Sequence, residues 1–181
     1  RSLSSAIASS KVAGGAFTVA GGIPAGNLAR WSGTAWSAMG SFTTRVWALA
    51  TTPNGSPVAA SGNSSPFTLT QFVVSRWNGS GWQPLGVPFQ SYFPFSALVA
   101  LPDGDLLALG WFSLTGSQGW YGGARWNGTA WSADSNGPRQ VWRVAPMRSG
   151  DWLALGFVAA AGQAPSHLAR LTTSCPATAT S

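Results

Sequence analysis

The chain has 181 residues, of which 45% are hydrophobic, 12% aromatic and only 8% charged, and 11 are tryptophan. Ten basic residues, nine Arg and one Lys, stand against four Asp and no Glu, giving a formal net charge of +6. That length suits one domain, the apolar content argues against disorder, and no stretch approaches the roughly 18 uninterrupted apolar residues of a membrane-spanning helix.

In chain order, Gly15 leads into a predicted strand at Leu28-Ala29-Arg30-Trp31, then a turn pair at Ser32-Gly33 and Trp36 on the return strand. Val46 to Ala50 and Val58 to Ser61 form a predicted hairpin about Pro53-Asn54-Gly55, closed by Gly62. Val74-Ser75-Arg76-Trp77, the turn Asn78-Gly79 and Trp82 then repeat the first pattern. The same sequence of events follows twice more. Ala97 to Leu101, Pro102-Asp103-Gly104 and Leu106 to Leu109 lead to Gly110, and then to Gly123-Ala124-Arg125-Trp126, Asn127-Gly128 and Trp131. Val141 to Ala145, Arg148-Ser149-Gly150 and Trp152 to Leu155 lead to Gly156 and to Leu168-Ala169-Arg170-Leu171.

The four repeat arginines are spaced by 46, 49 and 45 residues, long enough for one supersecondary unit and too short for an independent domain. Asn-Gly between two extended segments signals a hairpin, because a type I′ turn needs φ > 0 at both central residues. A two-residue turn at Asn78-Gly79 makes Trp77 and Trp82 diagonal neighbours on one face of the sheet and puts Arg76 on the other. Runs such as Leu106-Leu107-Ala108-Leu109 are apolar on both faces, as expected of a strand sandwiched between layers. No helical periodicity is visible. The expected fold is therefore all-β: a β-propeller, or an open propeller-like array, of about four four-stranded antiparallel blades. The blades fall at about 3–40, 45–86, 95–133 and 141–171, the last with three strands, and 172–181 is a C-terminal tail or linker.

The signature Arg76-Trp77-Asn78-Gly79-x-x-Trp82, repeated at Arg125 to Trp131 and followed by a Pro-Asx-Gly hairpin, resembles the propeller-type repeats of secreted bacterial surface proteins. It is distantly similar to kelch and galactose-oxidase blades. The resemblance spans about residues 3 to 171 and implies a secreted, extracellular or cell-envelope setting. It carries no catalytic residues over, since no copper-ligand set or other active-site motif is present, and propellers host many unrelated functions.

Recurrence at one position argues that Arg30, Arg76, Arg125 and Arg170, with Trp31, Trp36, Trp77, Trp82, Trp126 and Trp131, serve the scaffold. Each guanidinium is expected to bond backbone carbonyls or to stack on a ring of the adjacent blade. Arg1, Lys11, Arg45, Arg139, Arg143 and Arg148 are then the free charges, and their scatter argues against nucleic-acid binding. A single histidine, His167, excludes a multi-histidine metal site. Asp103, Asp105 and Asp151 sit at hairpin tips as ordinary turn residues, leaving Asp134 as the one acid elsewhere. Neither a metal nor a cofactor is expected, and an enzyme, a polysaccharide hydrolase or lyase using Asp134 or His167, is the remote alternative. Cys175 is either a free thiol or half of a disulfide to another chain or a later segment.

Where the repeat fails, five irregular segments lie on the face opposite the hairpin turns: 63–72, 87–95, 111–122, 133–140 and 157–166. Two are rich in aromatic residues that a blade does not need. The candidate contacts are Phe89, Tyr92, Phe93, Gln118, Trp120, Tyr121 and Arg139. The expected function is non-catalytic: a protein-interaction or structural subunit that docks another protein chain or a further copy of itself. A carbohydrate-binding module is the alternative, and a role in plugging the central opening is the competing explanation for the rings.

Overall fold

The computed structural model describes residues 2–7, 10–65, 67–116, 119–133, 140–147, 151–158 and 166–171. Short runs rich in Val, Leu, Ala and aromatic residues, punctuated by glycine-bearing turns, fold into antiparallel strands, and the described residues contain no helix.

The first sheet contains β1 (Ser2–Ile7) and β2 (Ser10–Gly14). After a small hairpin of β3 (Val19–Ala20) and β4 (Ile23–Pro24), it adds β5 (Leu28–Trp31) and β6 (Trp36–Ala38) in the order β1-β2-β5-β6. The second unit is the meander β7 (Val46–Thr51), β8 (Pro57–Gly62), β9 (Thr70–Trp77) and β10 (Trp82–Pro84). A short strand follows, β11 (Phe89–Ser91). The third unit is β12 (Ala97–Ala100), β13 (Leu106–Leu114), β14 (Tyr121–Trp126) and β15 (Trp131–Ala133). β11 pairs with both β9 and β13, which joins these two units into one nine-stranded sheet. β16 (Gln140–Pro146), β17 (Trp152–Val158) and β18 (Ser166–Leu171) form a last, three-stranded sheet among the described residues. The first strands of successive units pack on one another: β1 on β7, β7 on β12, and β12 on β16.

The hairpins depart from expectation in loop length. Trp31 faces Trp36, Trp77 faces Trp82 and Trp126 faces Trp131 directly across the ladder, not on the diagonal. Four residues intervene, and the N–H of Asn78 donates to the carbonyl of Gly81 at 3.0 Å. The Asn78 Oδ1 accepts from the N–H groups of Ser80 and Gly81 at 2.9 and 2.8 Å, so the side chain organises the loop that a type I′ turn would have closed in two residues. Gly79 has φ of 105° while Asn78 stays out of the positive region, as this longer loop requires. Asn127 repeats the arrangement, and Ser32 substitutes with its hydroxyl. The facing indoles tilt against each other with ring centroids 5.4 to 5.6 Å apart.

The period-two alternation of each strand divides its residues between two cores. Val58 and Ala60 of β8 join a cluster with Phe72, Phe89, Phe95, Leu106 and Phe112, shared by the second and third units. Ala59, between them, joins Val12, Leu28, Val46 and Leu49 in a cluster shared with the first unit. Leu109 turns the other way from Ala108 and meets Val99, Val141 and Ala154 of the last two units. Each interior sheet is thus apolar on both faces because both are covered.

The second tryptophan of a repeat ties its unit to the one before. Trp82 Nε1 donates to the carbonyl of Met39 at 2.6 Å, and Trp131 Nε1 donates to that of Leu85 at 2.7 Å. The residues after those acceptors, Gly40 and Gly86, have φ of 77° and 68°. A Cβ at Gly86 would stand 2.9 Å from the Trp126 ring and 3.0 Å from Trp131, so glycine is needed there for both backbone and space. The last repeat carries Leu171 in place of the first tryptophan, and the ladder ends there opposite Trp152 among the described residues.

Candidate functional site

Register places both hairpin tips of a unit at one end of its strands: Leu106, beside the Pro102-Asp103-Gly104 turn, pairs with Trp126, beside the Asn127 turn. Two of the repeat arginines meet carboxylates there. Arg125 Nε donates to Asp105 Oδ2 and its Nη2 to Asp103 Oδ2, both at 2.6 Å, and Arg170 Nε donates to Asp151 Oδ2 at 2.8 Å. These partners are turn carboxylates of the same unit, reached across the ladder. Leu107 opposite Arg125 and Leu153 opposite Arg170 set the register, placing Asp105 and Asp151 two residues before the facing position. In the second unit Val58 faces Arg76, so that place belongs to Ser56. These aspartates are therefore more than turn residues, and Asp103 and Asp105 are held on one guanidinium.

At the opposite end the candidate rings divide into core and surface. Phe89 is fully buried, with its ring 4.8 to 5.0 Å from those of Phe112, Phe95 and Trp131. It belongs to the core because β11 inserts between two sheets. Tyr121 lies on β14 opposite Phe112, packed against the same core. Tyr92, Phe93 and Trp120 are exposed, at 38%, 54% and 39%. Trp120 lies between two near-parallel rings, Tyr92 at 5.7 Å and 17° and Trp111 at 6.2 Å and 15°. Those separations exceed a face-on contact of about 3.5–4.0 Å, so the rings are offset and step across the surface. The expected irregular segment 111–122 is partly strand, since β13 runs on to Leu114 and β14 begins at Tyr121. Gln118, Asp134, Arg139 and Cys175 lie outside the described residues, and His167 lies on β18.

The segment is anchored from below. Buried Ser91 donates its hydroxyl to the carbonyl of Trp111 at 2.5 Å and accepts from the N–H of Phe93 at 2.9 Å. Phe93 and Trp111 are thereby fixed on the wall of a cleft of about 570 Å³. All four units line it: Gly14 and Gly15 from the first, Arg45 and Trp47 from the second, Phe93 and Trp111 beside the third, and Val141 and Arg143 from the last. A second cavity of about 720 Å³ shares Gly14, Gly15 and Arg45 with the first and is walled by Phe17, Val19 and Trp36.

Arg45 stands at the junction with its Cζ 4.1 Å from the centre of the Trp47 ring. The Trp47 indole donates to the carbonyl of Gly62 at 2.8 Å, so the platform under the guanidinium is itself pinned. Arg45, Arg143, Trp47 and Trp111 were not among the sequence candidates. The available signal was that both arginines fall outside the repeat position while the other four described arginines occupy it.

No family model, curated protein or solved structure matches the chain. No helix among the described residues is long and apolar enough to cross a membrane.

Proposed function

We propose that this chain is a non-catalytic β-propeller-type module of the cell exterior that works by binding, with the loop end of its strands as the binding surface. Four antiparallel meanders in chain order, their first strands packed on one another, support the propeller reading. The observation that carries the function is the ring stack of exposed Tyr92 and Trp120 with half-buried Trp111 beside the cleft. These rings lie outside the repeat, in a chain whose cores already hold Phe72, Phe89, Phe95 and Phe112. Large rings on an anchored segment offer contact area at little conformational cost.

The first reading is a subunit that docks another protein chain or a second copy through this face, with Cys175 available to secure the assembly. Hydroxyl-radical footprinting compares the purified protein with the protein in its native cell-surface fraction. Tyr92, Phe93 and Trp120 are expected to be protected in the native fraction, and Met147, exposed at the hairpin end, is not. Equal labelling of the three rings in both samples contradicts the reading.

The second reading, a saccharide-binding module, is favoured by the cleft itself. Its volume lies within the roughly 300–1,000 Å³ of small-ligand sites. A lectin whose sites belong to single blades repeats them in every unit, whereas a cleft lined by all four units needs no recurrence.

A further inference from the structure

We propose that the cleft recognises an anionic saccharide, one bearing carboxylate or sulfate groups, with Arg45 and Arg143 as the residues that read the charge. The proposal rests on the saccharide reading above and names its ligand class. Both arginines are exposed and both line the cleft. No carboxylate joins them in that lining among the described residues. The chain has no glutamate, and Asp103, Asp105 and Asp151 are at the far end of the strands on Arg125 and Arg170. Two guanidinium groups lining one cleft concentrate anions there.

The position of Arg45 adds geometry to charge. Lying over the pinned Trp47 ring holds the exposed Arg45 guanidinium at the cleft, where its N–H fork suits bidentate bonds to a carboxylate or sulfate. Because Arg45 borders both cavities, a ligand longer than one ring can lie along them and meet this fork on its way. Gly14, Gly15 and Gly110 contribute peptide groups to the lining, and the walls offer the rings of Trp111, Phe93 and Trp36. Aromatic walls with peptide groups in the lining suit the apolar faces and the hydroxyls of a sugar ring.

Isothermal titration of the purified chain tests this with four probes: a uronic-acid tetrasaccharide, a sulfated tetrasaccharide, a neutral tetrasaccharide and a hexa-aspartate peptide. One or both charged sugars are expected to bind, and the stronger arm identifies the source of the charge; the neutral sugar is expected to bind at least tenfold more weakly. Arg45→Gln and Arg143→Gln are each expected to weaken the charged sugar about tenfold or more, with an unchanged unfolding midpoint. Arg45→Lys, which keeps the charge and loses the fork, is expected to fall between. Equal binding of neutral and charged sugars, or unchanged affinity in both Gln variants, overturns the anion proposal and leaves the saccharide reading standing. Binding of the peptide alone overturns the saccharide class, and no binding in any arm overturns both readings.

Discussion

The hairpin end and the loop end of the strands use arginine in opposite ways. At the hairpin end Arg125 and Arg170 lie on turn carboxylates of their own unit, so charge is matched within those two units. At the loop end Arg45 lies on an aromatic ring, and it and Arg143 line a cleft shared by four units. In the third and last units the repeat position is matched within the unit, since Arg125 and Arg170 each meet a carboxylate two residues before the facing position. Departure from the repeat marks the groups left to meet something else.

The comparison can be broken most severely at Phe89, which stands at the loop end yet belongs to the scaffold. Phe89→Ala is expected to cost about 3–5 kcal/mol, read as a lower urea midpoint, because three rings lose their common neighbour. A variant that keeps its stability and loses only binding would return Phe89 to the surface.

Next in size is the tie between units. Gly86→Ala forces a side chain into positive φ and against two indoles, at a cost of about 1–3 kcal/mol by the same denaturation. Trp131→Phe keeps a ring but orphans the Leu85 carbonyl, for about 1–2 kcal/mol.

Smaller still is the expected gain from completing the charge match. Ser56→Asp places a carboxylate where the third unit has Asp105, opposite Arg76, and is expected to stabilise by about 0.2–1 kcal/mol, the gain fading in high salt. A gain that persists in high salt would assign it to something other than the ion pair. The smallest stability effect is expected at the cleft, where Arg143→Gln should stay within about 0.5 kcal/mol of the parent protein.

Most of the scaffold is legible in the chain because its determinants are local. Arg76-Trp77, four loop residues and Trp82 suffice to define a hairpin, and spacing alone puts the same hairpin in three units. What the sequence hides is non-local or depends on a count of one or two residues. The Asn78 side chain could close either a two-residue or a four-residue loop, and only the hydrogen bonds to Ser80 and Gly81 decide. Asp105 meets Arg125 through cross-strand register, which requires knowing that Leu107 is the facing residue. β11 is three residues with no alternation to announce it, so Phe89 reads as a loop aromatic until its two partner strands are seen. Arg45 and Arg143 are 98 residues apart, and nothing in either neighbourhood says that both strands end at one cleft.

The central claim, that matched arginines hold the fold and unmatched ones bind, is tested most directly by two charge-equivalent double variants. Arg45→Gln with Arg143→Gln and Arg125→Gln with Arg170→Gln each remove two positive charges from the same chain, at opposite ends. Titrated with the charged tetrasaccharide in one buffer, the first pair should lose at least tenfold in affinity and the second less than twofold. Equal losses would mean that net charge alone attracts the ligand and that the cleft does not read it.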